Sequence, residues 1–171
     1  MKRFIRILSA CALAVLLLLA GCPAALLDDY EPNETISDFH DLGSVAESPS
    51  ESSWIGTISP EGDCDFYGMT AKDPSTMQLP GTPEHFTLTV RMAPPQSPDA
   101  RNYDLYLYSD LGSVLDSSTN TGSAEETVTF TWDGTVGTDE SEDFRVEVRS
   151  VGGDFASVPY TLYASLEETS P

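Results

Sequence analysis

Hydrophobic and polar residues alternate in short runs along most of this chain, and glycine, proline, aspartate or serine closes each run. Over residues 85–92, Phe86, Leu88, Val90 and Met92 fall on one face. A period of two predicts a half-buried β-strand. Residues 103–109 repeat the pattern, with Leu105 and Leu107 on one face and Tyr106 and Tyr108 on the other. So do residues 127–132 through Val128, Phe130 and Trp132, residues 144–148 through Phe144, Val146 and Val148, and Tyr160, Leu162, Ala164 and Leu166. Residues 54–58, 64–70 and 114–117 are shorter candidates. Pro60, Glu61, Gly62 and Asp63 form a turn between the first two. The third pairs back as a hairpin arm across a turn in which Gly112 can take a positive φ. About eight strands follow the N-terminal run, with no amphipathic helical stretch. The predicted fold is all-β, an antiparallel β-sandwich of jelly-roll type with two sheets about 10 Å apart. Residues 93–102, rich in proline, and 133–143, rich in acid, form the longer loops, where binding residues concentrate.

The N-terminus has a different pattern. Residues 7–20 are apolar apart from Ser9 and Cys11, and Lys2, Arg3 and Arg6 precede them. The run is shorter than the roughly 20 residues of a spanning helix and matches the core of a helical signal peptide. Small Ala20 and Gly21 precede Cys22, and Pro23 follows it. The order Leu19-Ala20-Gly21-Cys22 resembles a bacterial lipoprotein signal. That resemblance implies cleavage before Cys22, a thioether-linked diacylglyceride on Cys22 and a membrane anchor on the outside of the cytoplasm. The expected organisation is a signal peptide at 1–21, then the lipidated cysteine, tether and acidic arm at 22–53. The sandwich follows at 54–168, with the arm from about residue 28 belonging to it.

Charge and cysteine content narrow the function. The chain has 8 basic and 28 acidic residues and a net charge of −20. Removing Lys2, Arg3 and Arg6 leaves five basic residues and a charge of −23. A surface of that sign repels nucleic acid and anionic headgroups, so no nucleic-acid partner is expected. It attracts divalent cations and also simply keeps the protein soluble. Of the 3 cysteines, Cys11 leaves with the signal and Cys22 takes lipid, so no disulfide is expected in the mature domain. Asp63 and Asp65 flank Cys64, so its thiol is expected to be a small buried residue and not a nucleophile.

The candidate chemistry is oxygen ligation. Pro32 holds the arm extended, and in an extended segment Asp29, Glu31 and Asn33 project to one side, with Glu34 adjacent. These are half of a calcium shell of six to eight oxygens. Asp63 and Asp65, where a turn enters a strand, offer a second set, and the two would share one ion if the arm folds back. An acidic, solvated tether has the same composition.

Taken in order, Tyr30-Glu31-Pro32-Asn33-Glu34, Gly56-Thr57-Ile58, Gly62-Asp63-Cys64-Asp65-Phe66-Tyr67 and Tyr103-Asp104-Leu105-Tyr106-Leu107-Tyr108 resemble the bacterial pre-peptidase C-terminal (PPC) domain family. Phe144 to Val148 and Tyr160-Thr161-Leu162 are similar to that family's closing strands. The resemblance covers nearly all of residues 28–168. It implies a jelly-roll sandwich of the kind appended to secreted hydrolases, and a calcium site on Asp29, Glu31, Asn33, Glu34, Asp63 and Asp65. The chain departs from the pattern at Glu34, where calcium-binding members more often carry Asp, and it has no attached peptidase. Collagen binding, known in some members, has no residue pattern here.

Nothing in the sequence favours an enzyme. His40 and His85 are the only imidazoles, and neither lies in a His-Glu-x-x-His, Gly-x-Ser-x-Gly or phosphate-loop motif. Tyr106 and Tyr108 suit an aromatic platform but more often pack a sheet. The expected function is a membrane-anchored, non-catalytic binding or adhesion module for an extracellular protein or glycan, stabilised by calcium. The alternative is a structural or assembly-accessory envelope lipoprotein without a small ligand, and a hydrolase ranks behind both.

Overall fold

The structure, a computed structural model, describes residues 30–48, 50–73, 81, 83–96, 98–152, 154 and 158–169. The segment read as a signal peptide, Cys22 and Asp29 lie outside the described residues. Nine strands are present among those described: β1 (His40–Ala46), β2 (Ser52–Gly56), β3 (Cys64–Lys72), β4 (Pro83–Ala93), β5 (Tyr103–Ser109), β6 (Val114–Ser118), β7 (Glu126–Thr135), β8 (Glu142–Ser150) and β9 (Tyr160–Thr169). They form a five-stranded sheet in the order β1-β3-β8-β5-β6 and a four-stranded sheet in the order β2-β9-β4-β7. The chain changes sheet at every connection except the β5–β6 hairpin, the crossing habit of jelly-roll sandwiches. The turn at 60–63 therefore carries the chain from one sheet to the other and does not close a hairpin.

The alternating runs explain the core. Phe86, Leu88, Val90 and Met92 are all fully buried, as are Leu105, Leu107, Val146 and Val148 opposite them. Each such side chain contributes about 1.5–3 kcal/mol relative to exposure. Trp132 stacks on Phe86 at 5.4 Å and tilts against Phe144 at 5.6 Å, joining the sheets at one end. The hydroxyl residues on the same strands face outward, and Thr87 bonds Thr131 at 3.1 Å across the β4–β7 register.

Two features depart from expectation. The first is β1, a ninth strand inside the stretch read as an irregular arm. It pairs with β3 in parallel, the one non-antiparallel pairing of named strands. A register shift between Asp41 and Ser44, at Gly43 with φ +81°, spaces Leu42 and Val45 three apart and hides the period of two. The second is β3, buried on both faces. Residues 30–39 cross its outer side. Phe39 lies over Gly68, where a Cβ would collide with the ring, and the Arg145 guanidinium covers Phe39 from above at 3.8 Å.

Cys64 is 2% exposed, as expected of a buried residue. In the full-length chain it is also disulfide-bonded, whereas the expectation of no disulfide concerned the mature domain. That expectation assumed cleavage and lipidation at Cys22, whereas the whole chain keeps all three cysteines. Cys11 and Cys22 both lie outside the described residues.

Candidate functional site

The arm meets the sandwich where β3 begins. Asn33 O accepts the Phe66 N–H at 2.7 Å, which adds the arm to the β3 edge ahead of β1. Tyr30 packs edge-on against Tyr67 at 5.8 Å and lies 4.5 Å from the His40 ring. Between these anchors the Glu31 side chain folds back, and its Oε2 accepts the Asn33 N–H at 3.2 Å. The turn before β3 fixes Asp63. Its Oδ2 accepts the Ser59 N–H at 2.9 Å and its Oδ1 the Cys64 N–H at 2.9 Å. Asp65, two residues on, points inward, where its Oδ2 accepts the hydroxyls of Tyr160 and, at 3.3 Å, Tyr67.

These constraints bring carboxylate oxygens of Glu31, Asp63 and Asp65 within 4.8 Å of one another. Asp63, Asp65 and Asn33 are 0% exposed. Two like charges at that distance repel by about 3 kcal/mol at an effective dielectric of 20, and burial adds to the cost of ionisation. A divalent cation or bound protons would relieve it. Both amide atoms of Asn33, and Glu34 Oε1, are buried and make no hydrogen bond among the described residues. Buried polar atoms in folded proteins nearly always have a partner; the oxygens Asn33 Oδ1 and Glu34 Oε1 suit a hard cation that prefers oxygen, whereas Asn33 Nδ2 is a hydrogen-bond donor and cannot ligate one. Of the six residues singled out in the sequence, Glu31, Asp63 and Asp65 converge and Asn33 lies against them. Glu34 is buried beside them with its carbonyl 3.8 Å from Cys64 Sγ, and Asp29 lies outside the described residues.

A second acidic group was not legible in the sequence. Asp73, Glu84 and Glu140 also present oxygens within 4.8 Å of one another, at the far end of β3. Glu140 Oε1 accepts the Thr135 N–H at 3.0 Å and the Thr138 hydroxyl, and the Trp132 indole donates to its carbonyl at 3.0 Å. The available signal was parity. Glu84 shares the inward face of Phe86 and Leu88, and an acid at an apolar position of a strand marks a buried charge.

The other candidates have structural partners. Tyr108 donates to the buried Glu147 at 2.6 Å, and Arg149 closes on the same carboxylate at 2.7 and 2.8 Å. Burial, then Glu147, pushes the Tyr108 hydroxyl well above its usual range. Arg149 also lies 4.7 Å over the Tyr106 ring, so this face is packed polar-aromatic and not a bare platform. His85 is exposed beside Asp133 at 2.6 Å. Neither histidine lines the cleft of about 180 Å³ at Phe39, Gly68, Asp143 and Arg145, or the cleft of about 400 Å³ at Glu47, Ser48, Leu166 and Glu167. Comparison with protein-family models and with curated proteins finds no match for the chain.

Proposed function

We propose that this protein is a lipid-anchored extracytoplasmic module of the PPC type, non-catalytic, that binds an extracellular protein or glycan and is stabilised by calcium. The observation that carries the reading is the convergence of Glu31 from the arm with Asp63 and Asp65 from the sandwich. Asn33 and Glu34 are buried alongside with unused polar atoms. A calcium ion held by these carboxylates would tie the arm to β3. Asp63 and Asp65 would be its sandwich-side ligands and Glu31 its arm-side ligand. Asn33 and Glu34 are buried residues with further oxygens on the same arm, and the sequence reading adds Asp29 as a candidate ligand.

A partner-assembly role would favour a contiguous apolar patch. The exposed large apolar side chains among the described residues, Ile55, Leu111, Val114 and Val158, are spread over three parts of the chain. The assembly-accessory role is the second reading.

Thermal melting of the purified protein in chelator and in millimolar calcium tests the reading. Native-state binding raises stability by about 2.7 kcal/mol at a ligand concentration of 100 Kd. The melting temperature is expected to climb with calcium, and Asp63→Ala and Glu31→Ala are each expected to abolish the climb. Coincident melts of the wild type with and without calcium would end the calcium reading.

A further inference from the structure

The Asp65 carboxylate belongs to two groups at once. One is the acidic cluster with Glu31 and Asp63. The other is a buried hydroxyl pair drawn from both sheets. Tyr67 is on β3 of the five-stranded sheet, and Tyr160 opens β9 of the four-stranded sheet. The two hydroxyl oxygens lie 2.6 Å apart and both reach Asp65 Oδ2, so with one hydrogen each Tyr160 donates to Asp65 while Tyr67 donates to Tyr160 or to Asp65. All three residues are at most 1% exposed.

The neighbourhood is shaped to keep this arrangement. Gly56, opposite Tyr160 in the β2–β9 register, leaves the space the hydroxyls fill, and a Cβ there would collide with both. Tyr103 packs edge-on against the Tyr160 ring at 6.2 Å, and Tyr30 of the arm does the same to Tyr67 at 5.8 Å. Hydroxyls held this tightly against the carboxylate fix its rotation.

We propose that Tyr160, assisted by Tyr67, is a positioning residue that holds the Asp65 carboxylate in place for a divalent cation. Ion binding at the arm is thereby coupled to the packing of both sheets. The inference rests on the calcium reading and adds to it a specific pair of residues outside the ligand set. Partners that orient a metal ligand typically change affinity 10–100-fold when removed.

The test titrates the purified protein with calcium by calorimetry and with terbium by tyrosine-sensitised luminescence. The wild type is compared with Tyr160→Phe, Tyr67→Phe and Tyr108→Phe, and each is also melted in chelator. Tyr160→Phe is expected to weaken calcium and terbium binding about 10–100-fold. Tyr67→Phe, whose contact with Asp65 is longer, is expected to weaken both less, and Tyr108→Phe to leave the affinity unchanged. A lower melting temperature in chelator for Tyr160→Phe, with wild-type ion affinity, would show a merely structural hydroxyl and overturn the proposal while the calcium site survived. If Tyr160→Phe fails to fold, Tyr67→Phe is decisive, and wild-type affinity in that variant overturns the proposal. A wild type that binds neither ion removes the calcium reading and this proposal together.

Discussion

Burial pushes the Asp73 carboxyl above its ordinary value of 3.8, and the nearby Glu140 and Glu84 charges push it further, against a lowering hydrogen bond from the Glu140 backbone. The folded protein therefore binds this proton more readily than the unfolded chain does. Stability from such a group is complete below the ordinary value and is lost as pH rises through the raised folded value. Asp73→Asn removes the charge and keeps the shape. The variant is expected to melt above the wild type at pH 7, and the gap is expected to shrink as pH falls toward and below 3.8. Melts across that range check it, and a gap constant with pH would disprove the charge argument. The arginines show a different balance. Arg91 reaches Glu51 at 2.8 Å and Glu125 at 2.6 Å on a half-exposed surface, where each pair contributes about 0–1 kcal/mol.

Among the elements, the crossover from β6 to β7 carries a buried charge. Glu126 is fully buried, and it accepts the Ser118 hydroxyl at 2.5 Å and the Asn120 N–H at 3.0 Å. Asp116 of β6 reaches across to the Thr129 N–H of β7 at 2.8 Å. Glu126→Ala strands these donors where the chain passes between sheets, and is expected to cost about 2–3 kcal/mol. The adjacent Glu125→Ala is expected to cost under about 1 kcal/mol, because Glu125 is a surface partner. Urea denaturation with unchanged slope measures both, and equal costs would refute the crossover's role. Elements of this kind also mark what was legible. β4, β5, β7, β8 and β9 were readable because one face of each meets the core and the alternation of their apolar residues survives, and β2, β3 and β6 were readable as short runs bounded by turn residues. β1 was not, because its bulge at Gly43 replaces the period of two with a spacing of three. Glu31, Asp63 and Asp65 could be named from residue type and turn position. Their convergence needed the arm to lie along β3, a contact of residues about 30 apart that no local pattern encodes. Asp73, Glu84 and Glu140 were missed for the same reason, three elements meeting at one end of the sandwich.

At the scale of the whole molecule, the described residues form a two-sheet sandwich with the arm and β1 laid along β3. The charge of −20 rises in magnitude to −23 if the basic start of the chain is removed, so electrostatics oppose adsorption to an anionic membrane. Stable attachment then requires covalent lipid, and a single acyl chain holds only marginally, whereas two or more hold firmly. The anchor reading makes a chemical demand on one sulfur. Cys22 cannot carry a thioether and a disulfide together, and Cys64 is disulfide-bonded in a chain whose other cysteines are Cys11 and Cys22. Intact mass of the protein extracted from membranes decides between the two states. The expected species begins at Cys22 and carries the mass of its acyl chains. A species that retains residues 1–21 and gains two hydrogens on reduction would overturn the anchor. A protein held by its lipid is also expected to stay with the membrane through high-salt and carbonate washes, and Cys22→Ser to release it. Release of the wild type by salt alone would mean that charge held it there, which the acidic surface argues against.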